Sequence, residues 1–430
     1  MKRAGTAVVL AAGAVFAPLA QAQTPTMDEL AERYVKLVLA VGQHDADYVD
    51  AYYGPPEWRS SAEAGKRGLD AIARDADRVA AELASLRPAA GDELLALRHQ
   101  YLTKQVEALG ARVAMLGGQR FDFDAESAAL YDAVAPHHTE AEFELVLAEL
   151  GRRLPGEGPL GARYAEFRSE FVIPKDRLAA VFDAAIAGCR ERTLKHVALP
   201  RDEAFTLEYV TDKSWSGYNW YQGNYRSLIQ INTDLPIFID RAIDLACHEG
   251  YPGHHVYNVL LEKNLVRDRG WIEYMVYPLF SPQSLIAEGT ANFGIEVTFA
   301  EDERYLFERD VLFPAAGLDA ARVAEYYDLA KLAERLGYAG NEAARRYRNG
   351  LIDAAAAATW HETYALMPPA RAQQRVRFID QYGAYVINYN LGKDLVAAYV
   401  ERLAGDDPER RWREFERLIS SPRLPSGLRE

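Results

Sequence analysis

Apolar residues recur at helical spacing along most of the chain. Thr26, followed three residues later by Glu29, forms a capping box, and Leu30, Tyr34 and Val41 then fall on one helical face. A second capping box begins at Thr139, and further helices are predicted at 59–118, 178–197, 318–337, 341–366 and 407–420, which Pro or Gly residues separate. The pattern therefore predicts a mainly α fold.

One region departs from the helical period. Apolar and polar positions alternate at 205–209 and again at 225–231, which predicts two short strands in a small antiparallel element. The aromatic residues between these strands are predicted to line a substrate pocket, with burial in the core as the alternative; they are Trp215, Tyr218, Trp220 and Tyr221. An exposed strand edge here favours a peptide or an amide as substrate, because an extended peptide pairs with such an edge.

The 430 residues contain no Ser-rich or Pro-rich linker that would separate domains. We therefore expect a large multi-helix bundle with two lobes around a cleft. The first lobe would span 23–173 and the second 174–430, with the boundary at Ile173-Pro174.

The N-terminus has the pattern of a secretory signal peptide. Lys2 and Arg3 precede an apolar run at 4–19, and Ala20-Gln21-Ala22 provides a cleavage site, so residues 1–22 are the predicted leader. The run is shorter than the roughly 20 residues of a membrane span. The mature chain is expected to be exported without an integral membrane segment, and to be periplasmic if the host is Gram-negative and secreted otherwise.

The chain is acidic, with a formal net charge of −14 and no basic stripe, so nucleic acid is not an expected partner. Two cysteines, Cys189 and Cys247, could pair after export or remain free, and the sequence leaves both alternatives open because it does not supply their distance.

The segment His248-Glu249-Gly250-Tyr251-Pro252-Gly253-His254-His255 has the residue types of a metal centre. In a straight helix His248 and His254 would point in different directions, since they are six residues apart. Pro252 and its flanking glycines are expected to break the helix and bring the two imidazoles together. The prediction is that His248 and His254 bind the metal, with His255 in reserve, and that Glu249 is the general base.

A third ligand is expected from a separate helix. Glu288 stands among small apolar residues, and Asn292, four residues later, would share its helical face and could orient a ligating histidine. Glu296 is a weaker candidate for the same role. The predicted set is His248, His254 and Glu288 around one Zn²⁺ per chain.

Two tyrosines on a C-terminal helix, Tyr385 and Tyr389, are the candidate donors to an oxyanion, with a core or surface role as the alternative. A second His-Glu pair in the chain can be compared with the one at His248-Glu249. His361-Glu362 is a second His-Glu pair with no later histidine, so it is not expected to form a metal site.

The motif His-Glu-Gly-Tyr-Pro-Gly-His-His at 248–255, followed by Ala-Glu-Gly-Thr-Ala at 287–291 and Asn-Tyr-Asn-Leu-Gly-Lys at 388–393, resembles the bacterial domain-of-unknown-function family eight-eight-five. This family is similar to helical zinc metallopeptidases. The resemblance runs from about Pro174 to about Tyr399. It implies a mostly helical metallohydrolase with a cleft, in which His248, His254 and Glu288 match the ligands and Glu249 matches the base.

The chain departs from the family pattern beside this site. The family commonly has an aromatic residue where Thr290 stands, Tyr where Phe293 stands, Gln where Tyr257 stands, and Pro-Gly-Gln-Ala where 383–386 stands. The substrate preference of a relative therefore does not transfer to this chain.

Taken together, these residues predict an exported zinc-dependent hydrolase, most simply a peptidase or an amidase that acts on a peptide or small amide. Two alternatives stay open from the sequence. One is a non-catalytic envelope binding protein that retains the fold, and the other is a hydrolase of non-peptide amides or esters.

Overall fold

Helices make up most of the chain in the computed structural model, which describes residues 25–88, 91–300 and 302–429. The predicted mainly α fold is confirmed. The predicted signal peptide lies outside the described residues. Among the described residues, none of the helices combines the length and the apolar character that crossing a membrane requires.

The helices are α1 (Met27–Val41), α2 (Pro56–Gly65), α3 (Leu69–Ser85), α4 (Glu93–Leu116), α5 (Phe123–Tyr131), α6 (Glu140–Arg153), α7 (Leu160–Ser169), α8 (Leu178–Thr193), α9 (Ile239–Leu245), α10 (His254–Leu261), α11 (Pro282–Thr298), α12 (Glu303–Phe307), α13 (Phe313–Ala316), α14 (Val323–Glu334), α15 (Ala339–Arg348), α16 (Ala354–Tyr364), α17 (Pro369–Tyr382), α18 (Ile387–Ala404) and α19 (Pro408–Ile419). The strands are β1 (Val49–Tyr52), β2 (Ala204–Val210), β3 (Gly217–Gly223), β4 (Arg226–Asn232) and β5 (Val276–Pro278).

The helix starts follow the capping signals in the sequence. Both capping boxes are present, at Thr26 before α1 and at Thr139 before α6, and the apolar face of α1 is fully buried. Two predicted spans are longer than the helices they contain. Residues 59–118 are divided among α2, α3 and α4, and residues 341–366 are divided between α15 and α16, where Gly350 has a positive φ of 72°. Backbone in this conformation ends a right-handed helix.

The two predicted strands are present as β2 and β4, but their antiparallel pairing is wrong, because they pair in parallel. The antiparallel partner of β4 is β3, which lies where a loop was expected, and the sheet order is β2-β4-β3. After β2 the chain forms β3 at the far edge of the sheet and then turns back into β4, which lies between them. Strand β4 therefore runs antiparallel to β3 and parallel to β2. A separate antiparallel pair joins β1 to β5.

Helices α11 and α18 cross closely because glycines meet at the contact. A Cβ atom on Gly289 would lie 2.4 Å from the carbonyl oxygen of Gly392, and one on Gly392 would lie 2.8 Å from the carbonyl oxygen of Leu285. Such distances are too short for a side chain, so only glycine fits on both helices. The crossing brings the beginning of α18 alongside the middle of α11, where Glu288 is located.

A disulfide joins Cys189 on α8 to Cys247, with the Cα atoms 5.6 Å apart. Of the two alternatives that the sequence left open, the structure has the paired one, and neither cysteine is free. The bond ties α8 to the residue immediately before His248, so it restrains the backbone of the metal motif.

Loss of this disulfide should destabilise the protein. It closes a loop with a sequence separation of 58 residues, and a crosslink of that length lowers the entropy of the unfolded chain by an amount worth about 4 kcal/mol. We expect the Cys189→Ser/Cys247→Ser variant to unfold at lower urea concentration than the wild type. Wild-type protein in dithiothreitol should unfold like the variant, and coincident curves for the oxidised wild type and the variant would contradict the expectation.

Candidate metal centre

The helix that carries His248 widens before it ends. Residues Ala246–Gly250 form a π-type turn, in which the amide of Tyr251 donates to the carbonyl of Ala246 at 3.3 Å. Wide turns of this kind often occur at functional sites, because the extra residue changes the direction of the side chains. The Tyr251-Pro252 peptide bond that follows is cis.

Gly253 closes the break in the helix. Its amide donates to the carbonyl of Cys247 at 2.9 Å, and a Cβ atom at this position would lie 1.8 Å from the carbonyl oxygen of His248. No other residue fits there without moving the backbone. Helix α10 then starts at His254. The predicted helix break at Gly-Tyr-Pro-Gly is therefore present, and it brings the side chain of His254 close to that of His248.

The imidazoles of His248 and His254 lie together, with ring centroids 4.6 Å apart. The Oε2 atom of Glu288 is 3.2 Å from Nε2 of His248 and 3.8 Å from Nε2 of His254. Two ligands bound to zinc at 2.0–2.1 Å with tetrahedral geometry are about 3.4 Å apart. The two distances from Oε2 of Glu288 are thus close to the spacing of ligands around a single zinc ion.

Unpartnered carboxylate oxygens support a cation at this position. Oε2 of Glu288 and Oε2 of Glu249 are both buried and accept no hydrogen bond from any described residue. Buried polar atoms nearly always have a hydrogen-bond partner, so a buried oxygen without one indicates a binding position for an ion or a water molecule. The ligand atoms of His248, Glu249 and His254 also lie within 4.8 Å of one another, so the carboxylate of Glu249 lies beside the two histidines, and the imidazole and carboxylate groups present are of the types that bind zinc.

Hydrogen bonds from neighbouring helices orient the ligand candidates. Nδ1 of His248 lies 3.1 Å from Oδ1 of Asn292, whose amide nitrogen donates to the carbonyl of Tyr389. Because that bond fixes the amide, Oδ1 accepts the proton of Nδ1 and leaves a lone pair on Nε2. Tyr385 donates to Oε1 of Glu288 at 2.8 Å, which leaves Oε2 facing the histidines.

The pKa values of Glu249 and Glu288 are shifted in opposite directions. Burial raises the pKa of Glu249 to about 7, and the nearby carboxylate of Glu288 adds to this, against the attraction of His248. Burial acts on Glu288 as well, but its close contact with His248, the charge of His254 and the hydrogen bond from Tyr385 hold the pKa of Glu288 below its usual value. An ionised carboxylate suits a ligand, while one with a pKa near 7 suits a general base.

The structure separates His254 from its neighbour His255. His255 is fully buried, and its Nδ1 accepts from the hydroxyl of Ser227 while its Nε2 donates to Glu203 at 3.0 Å. Both ring nitrogens are occupied, so the reserve ligand of the sequence prediction is not brought to the centre. Tyr251 donates to the same carboxylate at 2.6 Å, so Glu203 anchors the cis-proline segment.

The hydrogen bonds to Glu203 predict a pH-dependent contribution to stability. Burial would raise its pKa, but the bonds from His255, Tyr251 and Arg190 outweigh burial and lower the pKa to about 2. A lowered carboxylate pKa stabilises the fold above the unfolded value near pH 4.3 and ceases to do so as the pH falls through about 2. We expect Glu203→Gln to cost about 2 kcal/mol at pH 7, with a smaller cost at pH 3, as measured by urea unfolding at both pH values. An equal cost at both pH values would contradict the argument.

A cleft of about 980 Å³ opens over the two histidines, and only some of the predicted pocket aromatics line it. Trp215 and Tyr218 do. Trp220 is 39% exposed and donates to Gln230 on the sheet, and Tyr221 is buried. Residues alternate along a strand, so Tyr221 points to the face opposite Tyr218, and the assignment of Trp220 and Tyr221 to the pocket does not agree with the structure.

The remaining predicted site residues are dispersed along the cleft. Glu296 lines it, but its carboxylate pairs with Lys393 at 2.6 Å instead of facing the histidines. Tyr389 lines the cleft beside the centre, whereas the hydroxyl of Tyr385 is already bonded to Glu288. Of the two candidate oxyanion donors, Tyr389 is thus the better placed. His361 is fully buried and does not line the cleft.

Sequence reasoning missed Asp50 on β1, which lines the cleft and accepts a hydrogen bond from the hydroxyl of Tyr218. Burial raises the pKa of Asp50 to about 7, against the effect of the hydrogen bond from Tyr218. No sequence signal links Asp50 to a motif almost 200 residues later. Arg371 and Arg375 were also missed, and their spacing of four after Pro368-Pro369 was the only available signal.

No family model matches the chain, and no curated protein is similar to it in sequence. The resemblance to family eight-eight-five therefore stays a prediction. Among solved structures, the chain is similar to a candidate lipoprotein of Colwellia psychrerythraea, with 14% identity over 86% of this chain and 70% of the other and a TM-score of 0.50. At this identity the likeness extends to the fold alone.

Two further structures are more distant. A candidate lipoprotein of unknown function from Shewanella oneidensis is 12% identical over 86% of this chain and 75% of the other, with a TM-score of 0.47. The M32 carboxypeptidase of Deinococcus radiodurans R1 is 14% identical over 91% of this chain and 87% of the other, with a TM-score of 0.43. Evidence for the chemistry of this chain has to come from its own residues.

Proposed function

We propose that this chain is an exported zinc-dependent hydrolase that cleaves a peptide bond or a small amide. The observation that carries the proposal is the position of Oε2 of Glu288, which is buried, unpartnered, and 3.2 and 3.8 Å from the two histidine nitrogens. His248, His254 and Glu288 would hold the ion. They provide three protein ligands, the number typical of catalytic zinc, in which the fourth position stays open.

Zinc, when bound there, supplies a Lewis acid and lowers the pKa of water toward about 7. Glu249 would accept the proton of the attacking water at Oε2 and return it to the leaving amine. Tyr389 would donate to the oxyanion. A purely structural metal site has no use for an additional unpartnered carboxylate, so Glu249 favours the catalytic interpretation over a binding protein.

The sheet supports an extended substrate. Within the described residues β3 has β4 as its only strand partner, and Gly217 and Tyr218 of β3 line the cleft. Asn219 donates to the carbonyl of Glu249 at 2.7 Å, and a Cβ atom on Gly217 would come within 2.8 Å of Oε1 of Glu249. These contacts place β3 next to the proposed base, so an extended peptide bound in the cleft would lie beside both.

Export is supported by two features. The disulfide between Cys189 and Cys247 is typical of oxidising compartments, and the first 22 residues have the pattern of a leader. We retain the division into lobes at 23–173 and 174–430 as part of the proposal, with the metal centre in the second lobe.

The deciding experiment is elemental analysis of the mature protein, purified without a His-tag or chelators, followed by a peptide-library screen. We expect about one zinc per chain and cleavage that a chelator abolishes and added zinc restores. Protein that binds no transition metal after incubation with zinc would overturn the proposal. Zinc binding without cleavage of any peptide, amide or ester would leave a binding protein as the function.

A further inference from the structure

Two arginines on α17, Arg371 and Arg375, line the same cleft as the histidines. They are four residues apart, so they share one face of the helix. Both are partly buried, and the exposed Arg377 on the same helix does not line the cleft.

Neutral groups hold these two arginines in place. Arg371 donates to Gln374 at 2.6 Å and to the hydroxyl of Ser216 at 2.9 Å. The guanidinium of Arg375 lies 4.7 Å from the ring centroid of Phe378 and 5.7 Å from that of Tyr389. Among the residues that the structure describes, no carboxylate oxygen lies within 4.0 Å of either guanidinium.

The other arginines of the cleft are all paired with acids. The pairs are Arg168 with Asp240 at 3.3 Å, Arg241 with Asp244 at 3.2 Å, Arg304 with Asp244 at 2.8 Å, and Arg411 with Glu401 at 3.5 Å. The chain has 63 acidic against 49 basic residues, so carboxylates are in excess. The lack of a carboxylate at Arg371 and Arg375 is therefore a local property of this wall of the cleft.

Placing positive charge in a partly buried site without a counter-ion is unfavourable. Burial, together with the charges of Arg241 and Arg375, lowers the pKa of Arg371 to about 10. An anionic ligand would remove this penalty, since each guanidinium binds a carboxylate through two parallel hydrogen bonds. The aromatic rings beneath Arg375 restrict its motion, which reduces the entropy lost on binding.

We propose that Arg371 and Arg375 form a carboxylate subsite, which binds a negatively charged group of the substrate beside the scissile bond. The inference rests on the proposed function and names the class of substrate: a peptide or amide with a carboxylate on one side of the bond that is cleaved. The carboxylate could be a free C-terminus or an acidic side chain. Both sources present the same planar group to the arginines.

The test compares matched substrates. One peptide is made with a free C-terminal carboxylate or as its amide, and a second, amidated peptide carries Glu or Gln in its last position. We expect kcat/KM on one member of a pair to exceed that on its uncharged partner by at least about tenfold, which corresponds to one well-formed charged contact. The pair that shows the preference identifies the source of the carboxylate.

Variants then connect the preference to the arginines. Arg371→Gln and Arg375→Gln should raise KM for the charged substrate with little change in kcat, and should remove the preference. Arg375→Lys, which keeps the charge but not the bidentate geometry, should restore it in part. Arg377→Gln, on the same helix but exposed, should behave like the wild type. Cleavage without any preference, or a preference that survives in both glutamine variants, would overturn the subsite.

A binding measurement separates this inference from the proposed function. Titration calorimetry of the zinc-loaded protein with N-acetylphenylalanine should show binding that its amide lacks and that Arg375→Gln weakens. If no amide is cleaved but this difference is present, the subsite stands and the hydrolase proposal fails. Equal binding of acid and amide, or binding of inorganic phosphate in preference to both, would reject the carboxylate subsite.

Discussion

Glu249→Gln should abolish turnover while leaving zinc bound. Glutamine has nearly the same shape as glutamate but accepts no proton, so the variant removes the general base without opening a cavity. Transfer of a proton by a well-placed side chain contributes up to about 10⁴-fold to the rate, and we expect kcat to fall by at least about 10³-fold on that basis. Zinc content and KM should stay close to those of the wild type, because Glu249 is not one of the three proposed ligands.

The chain provides a matched control in its second His-Glu pair. Glu362→Gln makes the same chemical change in a helix that does not line the cleft, and it should leave kcat and zinc content unchanged. Loss of zinc in Glu249→Gln would instead show that Glu249 is a ligand. Retained turnover in that variant would show that another group removes the proton, and Asp50, which lines the cleft, would be the candidate.

Local sequence signals were sufficient to predict the helix break between the two histidines and the shared helical face of Glu288 and Asn292. Pro252 and Gly253 predict a break in the helix, because proline cannot continue it and only glycine fits the closure. The spacing of four between Glu288 and Asn292 predicts a shared face, and in the structure Glu288 faces the histidines while Asn292 contacts His248. These features depend on backbone geometry within a few residues, which the sequence encodes directly.

Long-range packing was beyond the reach of the same reasoning. The alternation at 205–209 and 225–231 identifies strands but not their relative direction, which depends on the position of β3 in the sheet. Both Tyr385 and Tyr389 were candidates for one role on one helix, but Tyr385 lies in a 3-10 turn before α18 and only Tyr389 is on the helix. The tertiary structure distinguishes them, because it brings the hydroxyl of Tyr385 to Glu288. The pairing of Cys189 with Cys247 depends in the same way on α8 lying beside the metal motif.

The adjacent histidines allow a direct test of the ligand assignment. His254→Asn should lower zinc from about one per chain to a small fraction, because the shorter side chain does not reach the position of Nε2 and two ligands remain. Among the described residues, the carboxylate nearest to His254 is that of Glu288 at 3.8 Å, so the metal-free variant loses no close ion pair. It should unfold at about the same urea concentration as the metal-free wild type. Elemental analysis and urea unfolding in a chelator measure the two effects separately.

His255→Asn makes the same substitution one residue later and should give the opposite result. It removes one of the three donors to the buried carboxylate of Glu203, and a buried charge that loses a hydrogen bond costs about 1.5–3 kcal/mol. The folded variant should still bind zinc, because His248, His254 and Glu288 are unchanged. If His255→Asn lost zinc and His254→Asn retained it, His255 would be the ligand and His254 would not. The metal centre would then require a different backbone conformation between Gly250 and His255 from the one that places His255 against Ser227 and Glu203.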